Sequence, residues 1–257
     1  MSGLARTLAV TLTGLTGHIV EVEAHCAPGL PAFTLVGLPD AAVRESRERV
    51  RAALSTCGVT WGERRLTVNL SPADLPKTGT GFDVSMALAV LAARGELPRR
   101  ALASLAGTVF IGELGLDASV RPVRGVLPAV HAAARAGVGR VVVPADARAE
   151  ARLVPGMRIL AVSHLGELIA ALGGEVPAAV AGLVEGARGR RRHEPAGSAD
   201  RAPAPDLADV VGQAGARHAL EVAAAGGHHI LLVGPPGAGK TMLAERLPSI
   251  LPPLGPA

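Results

Sequence analysis

The chain has 257 residues, of which 49% are hydrophobic but only 2% aromatic, and a formal net charge of +4. This length allows one or two domains with an ample core, built of necessity from Val, Leu, Ile and Ala. Its start lacks a signal-peptide pattern and no apolar run nears the ~18 residues of a membrane span, so a cytoplasmic protein without a membrane partner is expected.

In chain order, Thr7–Leu12 and His18–Ala24 read as strands; in the second, Val20, Val22 and Ala24 alternate with Glu21 and Glu23. A Pro/Gly turn leads to a short strand at Ala32–Gly37. Asp40 then stands as N-cap of a helix over Ala41–Cys57. Val43, Val50 and Leu54 share one face of that helix, and Arg44, Arg47 and Arg51 share another. Glu45–Arg49 and Arg44–Glu48 have ion-pair spacing. The arginine face is either a solvated surface or a contact for nucleic acid or a partner. Cys26 and Cys57 have no metal-ligand spacing and suit small buried hydrophobes.

Arg65–Asn69 reads as a further strand, followed by the glycine-rich loop Lys77-Thr78-Gly79-Thr80-Gly81. Lysine occurs only at Lys77 and Lys240, so Lys77 stands out as a loop-fixing or surface-contacting residue. Asp83 is placed to cap an almost wholly apolar helix, Val84–Arg94, which Gly95 ends. Strands are expected at Thr108–Glu113, Arg140–Val143 and Ile159–Val162, and helices at Gly125–Ala136 and His164–Leu172. Residues 1–174 thus read as one mixed α/β domain. Residues 175–205 are rich in Ala, Gly, Arg and Pro and read as a linker. Its Arg188–Arg192 run either touches phosphate or stays solvated.

Residues 206–257 form the second domain, with a helix at Ala214–Ala225 and an apolar strand at Ile230–Val233. There follows Gly234-Pro235-Pro236-Gly237-Ala238-Gly239-Lys240-Thr241-Met242, which enters a helix over Met242–Leu247. The spacing Gly234-x4-Gly239-Lys240-Thr241 is the complete phosphate-binding loop pattern. Its glycines let backbone N–H groups turn inward onto an anion, and the following helix presents its positive end. Lys240 suits the β/γ-phosphates of ATP and the Thr241 hydroxyl suits Mg²⁺. His228 and His229, adjacent on an extended chain, point to opposite faces and do not share a metal. Val210 and Val211 are candidates for a base pocket, against plain core packing.

Three stretches carry a resemblance: Val36–Arg51 (VGLPDAAVRESRERVR), Thr67–Leu75 (TVNLSPADL) and Gly234–Leu243 (GPPGAGKTML). They resemble the YifB/ComM family of bacterial magnesium-chelatase-like AAA+ ATPases. The resemblance implies an α/β fold of the Lon-protease-like, ribosomal-S5-domain-2 type, followed by an incomplete P-loop AAA+ domain. It further implies ATP and Mg²⁺ as cofactors, DNA as partner and a homo-hexamer acting in branch migration during natural transformation. Lined up on the Lon loop, the serine position is Gly81 and the lysine position is Leu127, so no catalytic dyad is expected and proteolysis is not. Thr78 and Thr80 are the hydroxyls left in that loop. The sequence closes shortly after the phosphate-loop helix, so this chain alone is expected not to hydrolyse ATP. Competing expectations are a chelatase-type remodelling ATPase and a truncated, non-catalytic binding module.

Overall fold

The computed structural model describes residues 3–178, 180, 182 and 205–252. The chain divides into two compact units, Met1–His193 and Glu194–Ala257.

The first unit is built on a long antiparallel hairpin of β1 (Gly3–Thr13) and β2 (Thr16–Pro28). β2 pairs antiparallel with β4 (Arg64–Ser71), which pairs parallel with β3 (Ala32–Val36). On the other side β1 runs parallel to β5 (Val109–Phe110), then come β8 (Arg140–Pro144) and β9 (Arg158–Val162), again parallel. The seven-stranded order is β3-β4-β2-β1-β5-β8-β9. Four of its six pairings are parallel. Strands β6 (Glu113–Leu114) and β7 (Val120–Arg121) form a separate small ribbon.

Alternation along β1 divides two cores. Ala5 and Ala9 are buried in the cluster formed with α1 (Ala41–Thr56), α2 (Asp83–Arg94), α3 (Arg99–Ala106) and α6 (Leu165–Ala171). Leu8, Val10 and Leu12 face the other cluster, with α4 (Val126–Arg135) and the short α5 (Arg148–Ala151). A period-2 strand covered by helices on both faces gives this layering. Two hydroxyls enter the first face with their partners in place: Thr7 donates to Ser85 O at 2.9 Å and Thr11 to Pro76 O at 3.2 Å.

Several expectations change. Asp83 opens α2 but does not cap it. Its carboxylate, with no exposed surface, takes Arg49 Nε at 2.6 Å, Arg49 Nη2 at 3.1 Å and the Leu114 N–H at 3.0 Å. A carboxylate with a bidentate guanidinium within reach is better satisfied there than on first-turn amides. Arg49 also keeps Glu45 at 3.8 Å, whereas Glu48 pairs with its neighbour Arg47 rather than with Arg44. The strand expected over Thr108–Glu113 divides into β5 and β6: the Ile111 N–H closes the β5–β8 ladder on Val142 O, and the next amide, of Gly112, leaves that sheet for Gly81 O. Helix α3 and the segment over Ala145–Ala151 went unread in the sequence. Val176 and Val180, assigned by composition to the linker, pack on the first core. The Arg188–Arg192 run lies outside the described residues.

The second unit holds α7 (Ala214–Gly226), α8 (Lys240–Arg246) and 3₁₀ turns at Leu207–Asp209 and Leu247–Ile250. Leu207, Val210, Leu220 and Leu243 form its small core. The helix after the loop thus begins at Lys240, not Met242. The strand expected at Ile230–Val233 is not formed. Ile230 and Leu232 pack on this core, but Leu231 and Val233 are each 85% exposed, and among the described residues no strand lies beside them. A strand exists only as one side of a hydrogen-bonded ladder.

Candidate functional site

The glycine-rich turn of the second unit runs from Gly234 to the start of α8. Gly237 and Gly239 take φ of +81° and +77°, the left-handed region that a side chain at Cβ disfavours. A Cβ on Gly239 would also come within 3.3 Å of Met242 Cε and 3.4 Å of Gln213 Nε2. The turn is braced internally by the Ala238 N–H on Pro235 O at 3.3 Å. It is braced externally by Gln213 Nε2, which donates to Ala238 O at 2.9 Å. Gln213 itself sits at φ 54° just before α7. Sequence reasoning missed its bracing role; the Gly212-Gln213 pair ahead of a helix was the available signal.

Lys240 Nζ curls back over the turn and donates to Gly234 O and Pro235 O, both at 2.8 Å. The ammonium thus lies across the mouth of the loop that its own backbone forms. Pro235, Pro236 and Gly237 are exposed, as is Thr241 in the first turn of α8; Ala238, Gly239 and Met242 are half-buried. The N–H groups of a helix's first turn have no intrahelical acceptor. The described arrangement therefore offers one cation, free amides and one hydroxyl around a single concave turn. That donor set fits a phosphate chain and leaves the Thr241 oxygen free for a hard divalent cation. Val210 and Val211 are not brought together: Val210 is buried in the small core, and Val211 is 97% exposed.

In the first unit, the loop Thr78–Gly81 faces Pro122–Gly125 across a cleft of about 430 Å³, with Val10, Leu12 and Ile111 on its floor. Asp40 clamps its rim: Oδ1 accepts from the Val43 N–H at 2.7 Å, as the N-cap of α1, and Oδ2 from the Gly79 N–H at 3.1 Å. Gly81 contributes only backbone, its carbonyl accepting from the Gly112 N–H at 3.1 Å. Leu127 packs in the second core while its N–H donates to Glu150 Oε1 at 2.8 Å. Neither position presents a nucleophile or a base.

Lys77 does not lie on the surface. It is fully buried, its ammonium donates to Pro72 O, and its backbone bridges Leu38 O and the Asp40 N–H. Burial pulls its pKa below the ordinary value, against the opposing attraction of Asp74. The residue pins the loop from beneath and is out of reach of a macromolecular partner. Cys26 and Cys57 are both buried free thiols, and burial pushes Cys57 up to about 11. Among the described residues no cluster of His, Cys, Asp and Glu is placed to hold a metal. Within the same residues no helix is long and apolar enough to cross a membrane.

Comparison with known proteins divides along the same two units. The family described as subunit ChlI of Mg-chelatase matches residues 22–147, and that described as magnesium chelatase, subunit ChlI, matches residues 206–257. An uncharacterized Mycobacterium tuberculosis protein is 53% identical over 253 residues, covering 98% of this chain and 47% of its own. YifB of Escherichia coli is 38% identical over 241 residues (94% of this chain, 44% of YifB). The competence protein ComM of Haemophilus influenzae is 38% identical over 239 residues (93% and 45%). A weaker likeness, 34% identity over 160 residues, is to the Lon protease of Phenylobacterium zucineum, in keeping with a Lon-like α/β first unit. The chain spans about half the length of these three relatives.

Proposed function

Because this chain belongs to the YifB/ComM family of magnesium-chelatase-like proteins, we propose that its second unit binds ATP with Mg²⁺ through Gly234–Met242. The observation that carries this reading is the placement of Lys240 Nζ over the mouth of the Gly234–Gly239 turn. Backbone amides of Pro235–Gly239, apart from the prolines and Ala238, are available to phosphate oxygens. Lys240 exchanges its two carbonyl partners for phosphate oxygens when the nucleotide enters. Thr241 supplies a hydroxyl to Mg²⁺, and Met242 adjoins them in the first turn of α8. Bound Mg²⁺ supplies charge neutralisation across the β- and γ-phosphates.

On this reading the first domain runs past residue 174 to include Val176 and Val180 on its core, and the nucleotide-binding domain covers residues 206–257. The first is a Lon-like scaffold without peptidase function, since Gly81 and Leu127 occupy the dyad positions. The family role we assign is that of a DNA-processing ATPase of the ComM type, working as a homo-hexamer. The competing chelatase-type remodelling role shares the nucleotide site and differs in substrate. Hydrolysis needs an acidic residue to orient the metal and a group to position water. After Lys240 the only acidic residue is Glu245, which is exposed on α8. The Gly234–Met242 turn is assigned the binding of ATP and not its turnover. Phosphate release measured with and without branched DNA tests this. Release at background level is expected, together with salt-sensitive preference for branched over linear DNA. Turnover that disappears in Lys240→Ala would contradict the first point, and absence of DNA binding at low salt the second.

A further inference from the structure

The four aromatic residues of the chain are not evenly used. Phe82 and Phe110 are buried, whereas Phe33 and Trp61 stay half-exposed and share one surface cavity of about 280 Å³. Their ring centroids are 6.2 Å apart with planes tilted by 31°. The same cavity is lined by Arg47, Arg51 and Arg64, against a single acid, Glu48. Arg47 and Arg51, one helical turn apart on α1, come from the arginine face left undecided in the sequence.

The aromatic ring is held in place before any ligand arrives. Trp61 Nε1–H donates to Ser55 Oγ at 2.7 Å. Arg94 fixes the backbone that carries it, through Nη2 on Thr60 O at 2.6 Å, and is itself held by Glu96 at 2.6 Å. The guanidinium carbons of Arg94 and Arg51 stand 5.7 and 5.8 Å from the ring centroid. Among the described residues Arg51 makes no ion pair, and the Arg47–Glu48 contact at 3.0 Å is exposed and so contributes little. Trp61 packs half-buried against the first core, two guanidinium groups, Arg51 and Arg94, lie over its ring, and Arg47 and Arg64 line the cavity beside it. A fixed indole beside Arg51 and Arg64, which make no ion pair among the described residues, is a stacking plate with phosphate contacts beside it.

We propose that this cavity, between α1 and the Trp61 loop, binds single-stranded nucleic acid, with an unpaired base against Trp61 and Phe33 and phosphates on Arg47, Arg51 and Arg64. Paired bases in a duplex cannot reach the ring, and an acidic peptide would satisfy the arginines but not the aromatic plates. The site is separate from the phosphate-binding loop, so its success or failure does not depend on nucleotide binding there.

Trp61 is the only tryptophan of the chain, so its fluorescence reports on this site directly. Titrating the full chain with a twelve-residue oligothymidylate at low salt is expected to give saturable quenching. Arg47→Ala/Arg51→Ala should raise the midpoint about tenfold or more and make the salt dependence shallower by roughly 0.7 for each phosphate no longer neutralised. Trp61→Phe, followed with an end-labelled oligonucleotide and checked for native circular dichroism, should weaken binding by about fivefold or more. Absence of quenching at low salt would overturn the proposal. So would quenching of equal midpoint by a blunt duplex or by polyglutamate, or binding that the double arginine variant leaves unchanged.

Discussion

Single residues here owe their behaviour to partners far away in sequence. Lys77 and Lys240 both lie in glycine-rich loops, yet one is sealed beneath its loop on Pro72 O and the other lies across the mouth of its own. Asp83 is the sharper case. Burial pushes its carboxyl up, while the hydrogen bonds of Arg49 and the Leu114 N–H hold it down. Arg49 in turn is raised by Asp83. Removing one member leaves a buried, uncompensated charge, so Asp83→Ala should lower unfolding free energy by about 3–5 kcal/mol. The apolar pair Arg49→Met/Asp83→Leu should recover much of that loss, because neither charge then has to leave water. Urea denaturation of the three proteins measures both effects; a loss under about 1 kcal/mol in Asp83→Ala, below the range for a buried pair, would remove the ion pair from this account.

At the scale of elements, what could be read from the sequence was what is decided locally. The start of α1 was legible because its cap, Asp40 to the Val43 N–H, spans three residues. The hairpin of β1 and β2 was legible because alternation there is unbroken. The cap assigned to Asp83 failed because its partner is 34 residues away, and local reasoning sees only first-turn amides. The Thr108–Glu113 strand divided because past Ile111 the Gly112 amide bonds to Gly81, a loop residue, and not to another strand of the sheet. The phosphate-loop spacing was legible as a motif, but the strand expected ahead of it is not formed, since pairing is a tertiary property. The Phe33–Trp61 cavity was not legible at all: its lining comes from three separate segments. The absence of a ladder at Ile230–Val233 has a direct readout in hydrogen exchange. The amides of Leu231–Val233 should exchange at near-unprotected rates while those in the middle of β1 and β2 are strongly protected. Strong protection across Leu231–Val233 would show a paired strand and contradict the architecture described here.

For the whole molecule, two units carry two different kinds of statement. The first is a helix-covered, Lon-like α/β sheet with a cleft between Thr78–Gly81 and Pro122–Gly125, where Gly81 offers only backbone and Leu127 packs in the second core. The second is small, with a core of four buried side chains, and most of its chemistry lies on one exposed turn. The family assignment joins them, and the chain covers about half the length of its fuller relatives. The central claim is that the turn grips a triphosphate through Lys240. Isothermal titration of ATP into the full chain and into Lys240→Ala, each with and without Mg²⁺, tests it most directly. The account predicts one site per chain, tighter with Mg²⁺, and weakened about tenfold or more in the variant, the scale of a charge-assisted contact of about 1.5–3 kcal/mol. No binding by the full chain, or equal binding by a correctly folded Lys240→Ala, would contradict it.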